Sequence, residues 1–241
     1  MSAIVTKGLT KRYGKHTALD HLDLTIQKGE MVALLGVNGA GKTTAIKLLS
    51  CLLSPDEGEA YVGGKSIRSD ANAVKRIIGV SPQETAVARK LTVRENLSLV
   101  AELHGAKNAK ERVERILLDL GLTDVADRHA ATLSGGWQRR VSIAMALVSE
   151  PDVLFLDEPT LGLDVIARHE LWQYIRALKG KMTVILTTHY LEEAEALCDR
   201  VAILAKGKLL ALGTADEIKQ TAGTSSFEHA FVLLSTGGER A

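Results

Sequence analysis

Five consecutive apolar residues, Met31 to Leu35, run directly into "GVNGAGKTT", Gly36 to Thr44. This junction restricts the fold more than any other stretch of the chain. An unbroken apolar run between Gly29 and Gly36 reads as a strand buried on both faces. Lys42 to Leu53 has helical spacing, so the glycine-rich loop joins a buried strand to a helix N-terminus. The loop satisfies G-x-x-x-x-G-K-[ST] with Gly36, Gly41, Lys42 and Thr43. Its glycines let main-chain N–H groups wrap a polyphosphate, and the helix dipole favours the same anion. Gly36, Asn38, Gly39, Ala40, Gly41, Lys42, Thr43 and Thr44 are the expected nucleotide-binding residues. Within them, Lys42 is expected to reach the β- and γ-phosphates and Thr43 to ligate Mg²⁺.

The rest of the chain supports the same class of fold. "VLFLD" (Val153–Asp157) and "TVILTTH" (Thr183–His189) are further buried strands, with a helix around Ile166–Leu178 between them. Ile77–Val80 reads as a strand ending at Pro82-Gln83, and Val201–Leu204 and Leu209–Leu212 flank a Lys206-Gly207-Lys208 turn. Apolar patches at Ala3–Leu9 and Leu22–Ile26 read as short antiparallel strands, with another short strand near Glu59–Val62. From Thr92 to Leu120 the pattern is helical, and it resumes through Val148. A last helix is expected near Ala215–Gln220. Buried strands alternating with helices indicate an α/β protein with a parallel sheet, here a P-loop NTPase core. An N-terminal antiparallel β subdomain and an inserted helical subdomain complete the expected architecture. The expected division is one nucleotide-binding domain over 1–223, with the helical part at about 84–150 inserted, and a tail over 224–241 carrying a short helix.

Three strand ends carry candidate chemistry. Asp157 can order a Mg²⁺ shell beside Thr43. Glu158, the next residue, can accept a proton from an attacking water, or it is a surface charge. His189 can hydrogen-bond a terminal phosphate or that water, or it is a packed histidine. Gln83 offers an uncharged amide to Mg²⁺ or water. Catalytic roles are therefore expected for Glu158, His189 and Lys42, and metal-binding roles for Thr43, Gln83 and Asp157.

"TLSGGWQRR" (Thr132–Arg140) poses a separate question. Gly135 and Gly136 are expected to interrupt a helix, yet Trp137–Val148 has helical periodicity. Ser134, Gly135 and Gly136 form either an ordinary N-cap or a second anion site of hydroxyl, N–H groups and dipole. One nucleotide needs one phosphate loop, so a second anion site points to a nucleotide held by another molecule.

Taken in order, these segments resemble the ATPase subunit of ATP-binding-cassette (ABC) transporters, from Ile4 to Gln220. The correspondence covers the phosphate loop, Gln83, Leu133–Trp137 as an LSGGQ-type signature, Val153–Asp157 with Glu158, a turn at Leu161–Asp164, and His189. The resemblance implies a head-to-tail dimer with two ATP molecules between the subunits. Ser134 and Gly136 would then touch the γ-phosphate in trans, and Asp164 would link the sites. Tyr13 stands where the family has an adenine-stacking aromatic; alone it reads as a strand-packing tyrosine. The sequence departs from the family at Trp137, where Gln is common, and at Val37, where Pro is frequent. Trp137 either packs on the helical part or lies on the ribose of the facing nucleotide. "LTVRENLSLVAELHG" (Leu91–Gly105), "EPTLGLD" (Glu158–Asp164), "THYLEEAEALCDRVAIL" (Thr188–Leu204) and "SFEHAFVLLSTG" (Ser226–Gly237) resemble cassettes of small export permeases for drugs, lipids, polysaccharides or sodium. The Gln83 loop and the helical part near Glu84–Gly105 would receive a coupling helix of the permease.

Composition narrows the rivals. The formal net charge is +1 with no basic block, so no nucleic-acid partner is expected. Two cysteines, Cys51 and Cys198, both in helical-looking segments, argue against a disulfide framework. No apolar run reaches membrane-spanning length and the N-terminus lacks a secretory signal. With the resemblance, this places the chain on the cytoplasmic face of a bacterial cell membrane as an expectation, peripheral to permease subunits and beside a second ATPase subunit. ATP and Mg²⁺ are the expected cofactors. A ribosome- or DNA-directed cassette ATPase and a regulatory nucleotide-binding subunit are the rival readings. A GTPase is disfavoured because the chain has no N-K-x-D stretch.

Overall fold

Two sheets and their helices realise this pattern in the computed structural model, which describes residues 1–236. The strands are β1 Ser2–Tyr13, β2 His16–Gln27, β3 Met31–Leu35, β4 Glu57–Val62, β5 Lys65–Ser66, β6 Ile78–Ser81, β7 Val153–Asp157, β8 Thr183–Thr188, β9 Arg200–Ala205 and β10 Lys208–Gly213. The helices are α1 Lys42–Leu49, α2 Ala71–Lys75, α3 Val93–Leu103, α4 Ala109–Asp119, α5 Gly135–Leu147, α6 Val165–Arg176, α7 Leu191–Leu197, α8 Ala215–Thr221 and α9 Phe227–Thr236. Residues 237–241, including the last residue of the expected tail helix, lie outside the described residues.

The larger sheet has the order β10-β9-β3-β8-β7-β6. Its strands are parallel except β10, which pairs antiparallel with β9 at the edge. β3, β7 and β8 are buried along their whole length, as their apolar-rich sequences require. Alternate side chains of these strands enter two different cores. Val32, Leu34, Phe155 and Ile185 face α1 and the smaller sheet, ordered β2-β1-β4-β5. Met31, Leu35, Leu154, Leu156 and Val184 face the helical side, with Leu97 of α3, Val113 of α4 and Val141 of α5. The smaller sheet is antiparallel throughout.

The register decides where the chemistry gathers. Leu35 pairs with Thr188, Asp157 with Thr187, and Ser81 with Leu156. The C-terminal ends of β3, β8, β7 and β6 therefore lie side by side. In a parallel sheet the crevice beyond those ends is where ligands bind.

Several expectations need correction. Gly135 and Gly136 do not interrupt the helix; they begin α5, with Ser134 as N-cap residue. Glycine weakens a helix interior, but the first-turn N–H groups have no intrahelical acceptor in any case. Helix α1 stops at Leu49 rather than Leu53 because Cys51 takes a left-handed φ of 57°. The Leu52 N–H then closes back on the Lys47 carbonyl at 2.8 Å, an ending usually built on glycine. Cys51 and Cys198 thus sit just beyond helix ends, both as free thiols. β1 and β2 extend to twelve residues each, past the expected apolar patches, with register shifts along their pairing. β8 ends at Thr188, one residue before His189.

Phe155 is fully buried in the middle of the larger sheet. Truncation leaves a cavity that flanking strands cannot close, so Phe155→Ala is expected to cost about 3–5 kcal/mol of stability, measured by urea unfolding.

Candidate active site

The loop between β3 and α1 owes its shape to two close approaches. A Cβ on Gly36 would stand 2.4 Å from the Leu204 carbonyl oxygen. Gly41 has φ 105°, and a Cβ there would stand 2.5 Å from the Ala18 carbonyl oxygen. Neither position admits a side chain, so the loop is drawn tightly against β9 and β2. α1 begins directly after it, at Lys42.

A cleft of about 570 Å³ opens over this loop. Asn38, Gly39, Ala40, Gly41, Lys42, Thr43 and Thr44 form its floor. Tyr13, Gln83, Glu158 and His189 stand on its walls, joined by His16, Ala18 and Leu161. Tyr13 is 48% exposed at the end of β1, with its ring available to the cleft.

The polar contacts are dense. Lys42 is only 6% exposed. Its Nζ donates to the Gly36 carbonyl at 2.7 Å and lies 3.2 Å from Glu158 Oε1. Glu158 Oε2 lies 2.8 Å from His189 Nδ1. One buried carboxylate therefore bridges the loop lysine and the histidine after β8. Glu158 itself has a left-handed φ of 49°, an uncommon conformation for a side-chain-bearing residue and one that occurs at functional turns. The Thr187 hydroxyl secures that turn: it accepts from the Glu158 N–H at 2.9 Å and donates to Asp157 Oδ1. Thr43 Oγ1 donates to the same Asp157 oxygen at 3.1 Å.

Thr43, Asp157 and Gln83 offer oxygens only, the donor set that suits Mg²⁺. Among the described residues no cluster of three or more His, Cys, Asp or Glu side chains could hold a metal.

Ser134, Gly135 and Gly136 do not line this cleft; they form the first turn of α5. Ser134 is exposed and its side chain makes no cap hydrogen bond, so the ordinary side-chain cap is not formed. Trp137 is half-buried against the helical core, and the Arg140 guanidinium stacks 4.5 Å from its ring centroid. This is the packing that the first of its two readings describes. The Asp164 carboxylate caps α6 by accepting from the Ala167 N–H at 2.9 Å.

Sequence reasoning missed three residues here. Thr187 was hidden inside an apolar strand. Arg139 is buried behind the site and reads in sequence as half of a surface basic pair. Glu193 of α7 is fully buried, its Oε1 accepting from Thr160 Oγ1 at 2.9 Å and Trp172 Nε1 at 3.1 Å. Burial lifts its carboxyl above the ordinary 4.5, against the pull of these donors.

A family model described as "ABC transporter" matches residues 19–161. The daunorubicin resistance ATP-binding protein DrrA3 of Streptomyces coeruleorubidus is 45% identical over 241 residues, covering 99% of this chain and 75% of that protein. The daunorubicin/doxorubicin resistance ATP-binding protein DrrA of Streptomyces peucetius is 44% identical, covering 92% and 68%. A solved structure of the ATP-binding subunit of an ABC transporter superposes with a TM-score of 0.87 at 32% identity, covering 96% of this chain and 99% of that one.

The raised carboxyl of Glu193 carries a sign for stability. Between the unfolded value near 4.5 and its higher folded value, the unfolded chain ionises while the folded chain stays protonated. Stability from this group is thus complete below that window and declines as pH rises through it. Glu193→Gln keeps the acceptor oxygen without the ionisation. Its melting temperature is expected to gain on the wild type as pH rises from 4.5 toward neutrality, read by thermal scans across pH.

Proposed function

The chain belongs to the ABC transporter family, and from that premise we propose that it drives transport through a separate membrane-spanning permease by hydrolysing ATP at the cleft over Gly36–Thr44. The observation that carries the catalytic assignment is the Glu158 carboxylate held between Lys42 and His189. In this reading the main-chain N–H groups of the loop and Lys42 bind the polyphosphate, and Tyr13 meets the adenine. Glu158 accepts the proton of a water aligned for in-line attack on the γ-phosphate. His189 holds that carboxylate through Nδ1 and offers Nε2 to the phosphate or the water. Lys42 supplies positive charge where negative charge develops. Thr43, Asp157 and Gln83 would hold Mg²⁺, which when bound neutralises phosphate charge.

The anion-binding turn Ser134–Gly136 lies outside the chain's own cleft. It therefore serves the nucleotide of a second subunit, in a head-to-tail pair where each site combines one phosphate loop with one α5 turn. Exposed Leu161, Val165 and Ile166 beside Asp164 supply apolar surface for that pairing. A further groove of about 410 Å³ lies between Pro82 and Ala86, Val100 of α3 and His104 just after it, and Met145 of α5. Its apolar walls suit an incoming permease helix next to Gln83. Among the described residues no helix is long and apolar enough to cross a membrane, which agrees with a permease on another chain. The drug-resistance names of the relatives favour export, and a place on the cytoplasmic face of the membrane. The same reading divides the chain into one ATPase domain over 1–223, with a helical part at about 84–150, and a tail.

Glu158→Gln removes the proton acceptor and preserves the shape. It is expected to lower kcat by about 10²–10⁴-fold while ATP affinity stays within about threefold, measured by phosphate release and by equilibrium nucleotide binding. Unchanged kcat would remove Glu158 from the mechanism.

A further inference from the structure

Arg139 stands in the second turn of α5, 4% exposed. A guanidinium has five N–H donors in a rigid planar fork. Here all five reach main-chain carbonyls. Nε donates to Pro159 O at 2.8 Å, Nη1 to Pro82 O and to Gln83 O at 3.1 Å, and Nη2 to Asp157 O and Glu158 O. Among the described residues none of these donors goes to a carboxylate. Burial pulls the guanidinium down to about 10, opposed by the nearby charges of Asp157, Glu193 and Glu158. A guanidinium is not deprotonated in proteins, so all five donors persist.

The five acceptors fall on two segments. Pro82–Gln83 carries the amide that faces the cleft. Asp157–Pro159 carries the carboxylate bonded to Thr43 and the left-handed turn of Glu158. These segments leave different strands, β6 and β7. The arginine belongs to a third element, and the first turn of that helix is Ser134–Gly136. Gly136 faces α6, where a Cβ would make an ordinary contact with the Ala167 Cβ at 3.5 Å. A helix transmits small shifts along its length, so displacement of the Ser134–Gly136 turn moves the fork that holds both segments. A lysine could not replace it, because an ammonium has three donors and no planar fork.

We propose that Arg139 is a positioning residue that fastens the Gln83 turn and the Asp157–Pro159 turn to helix α5. Engagement of Ser134–Gly136 by a second subunit's nucleotide is thereby felt at the base and metal-binding groups of the same chain. The fastening lies within one chain; its consequence between subunits rests on the two-subunit reading above.

The test uses the full chain with Arg139→Gln, Arg139→Lys and Glu158→Gln. A fluorescent ATP analogue reports binding in EDTA, and Mg²⁺ titration of hydrolysis gives the metal requirement. Arg139→Gln is expected to keep metal-free affinity within about threefold, raise the half-maximal Mg²⁺ concentration about tenfold and lower kcat about a hundredfold, the scale of a small misplacement of reacting groups. Arg139→Lys is expected to recover part of both losses. Wild-type kcat and Mg²⁺ dependence in folded Arg139→Gln would overturn the proposal. So would loss of metal-free binding in step with kcat, the mark of a merely structural role. Hydrogen exchange of the wild type decides the matter if Arg139→Gln does not fold. On adding ATP and Mg²⁺, peptides spanning 82–84, 134–139 and 157–160 are expected to gain protection together. Protection confined to one of them contradicts the fastening. If wild type and Glu158→Gln hydrolyse ATP equally, the assignment of Glu158 as base fails, while the binding and exchange measurements still judge Arg139.

Discussion

The buried ion pair between Lys42 and Glu158 is the interaction on which the rest of the site depends. Both side chains are almost wholly removed from water and 3.2 Å apart. Such a pair is tolerable only when its remaining hydrogen-bonding capacity is used, because removing either partner strands a buried charge. Here the lysine also meets the Gly36 carbonyl, and the carboxylate also meets His189. These contacts draw together the loop after β3, the turn after β7 and the residue after β8. The sheet register brings those three ends together, and the ion pair fixes the distances among them.

Two layers of support lie behind that pair. Thr187 sets the turn from the strand side, receiving the Glu158 N–H and giving its own proton to Asp157. Arg139 sets it from the helix side by binding the carbonyls of Asp157, Glu158 and Pro159. A left-handed φ at a residue with a Cβ persists only when its surroundings over-determine it. The turn at Glu158 is held from both directions, and it carries the groups proposed as base and metal ligand.

Much of this was legible in the sequence because the informative signals were local. The run Met31–Leu35 followed by a glycine-rich loop specifies strand, loop and helix within fourteen residues of the chain. Asp157, Glu158 and His189 were legible because they stand at the C-terminal ends of apolar-rich strands. The two-residue β5 and the five-residue α2 are too short for any periodicity to declare them. Arg139 was not legible, because a buried arginine satisfied by distant carbonyls looks in sequence like an exposed one. Asn96 is similar: it is fully buried, and its side chain holds the irregular stretch before α3 through Ala88, Leu91 and Thr92. Tertiary satisfaction of polar groups leaves no periodic trace. The glycine pair at Gly135 and Gly136 was legible as the mouth of a helix, because helix-breaking tendency applies inside a helix and not at its first turn.

The head-to-tail arrangement is the central claim, and mixing two inactive variants tests it most directly. Lys42→Ala removes the loop lysine from every site, and Ser134→Arg blocks every α5 turn. In a mixed pair, one site joins the intact loop of one chain to the intact turn of the other. Hydrolysis is expected to reappear on mixing, at about a quarter of the wild-type rate for random association into two-fold pairs. A mixture as inactive as either parent would contradict the arrangement.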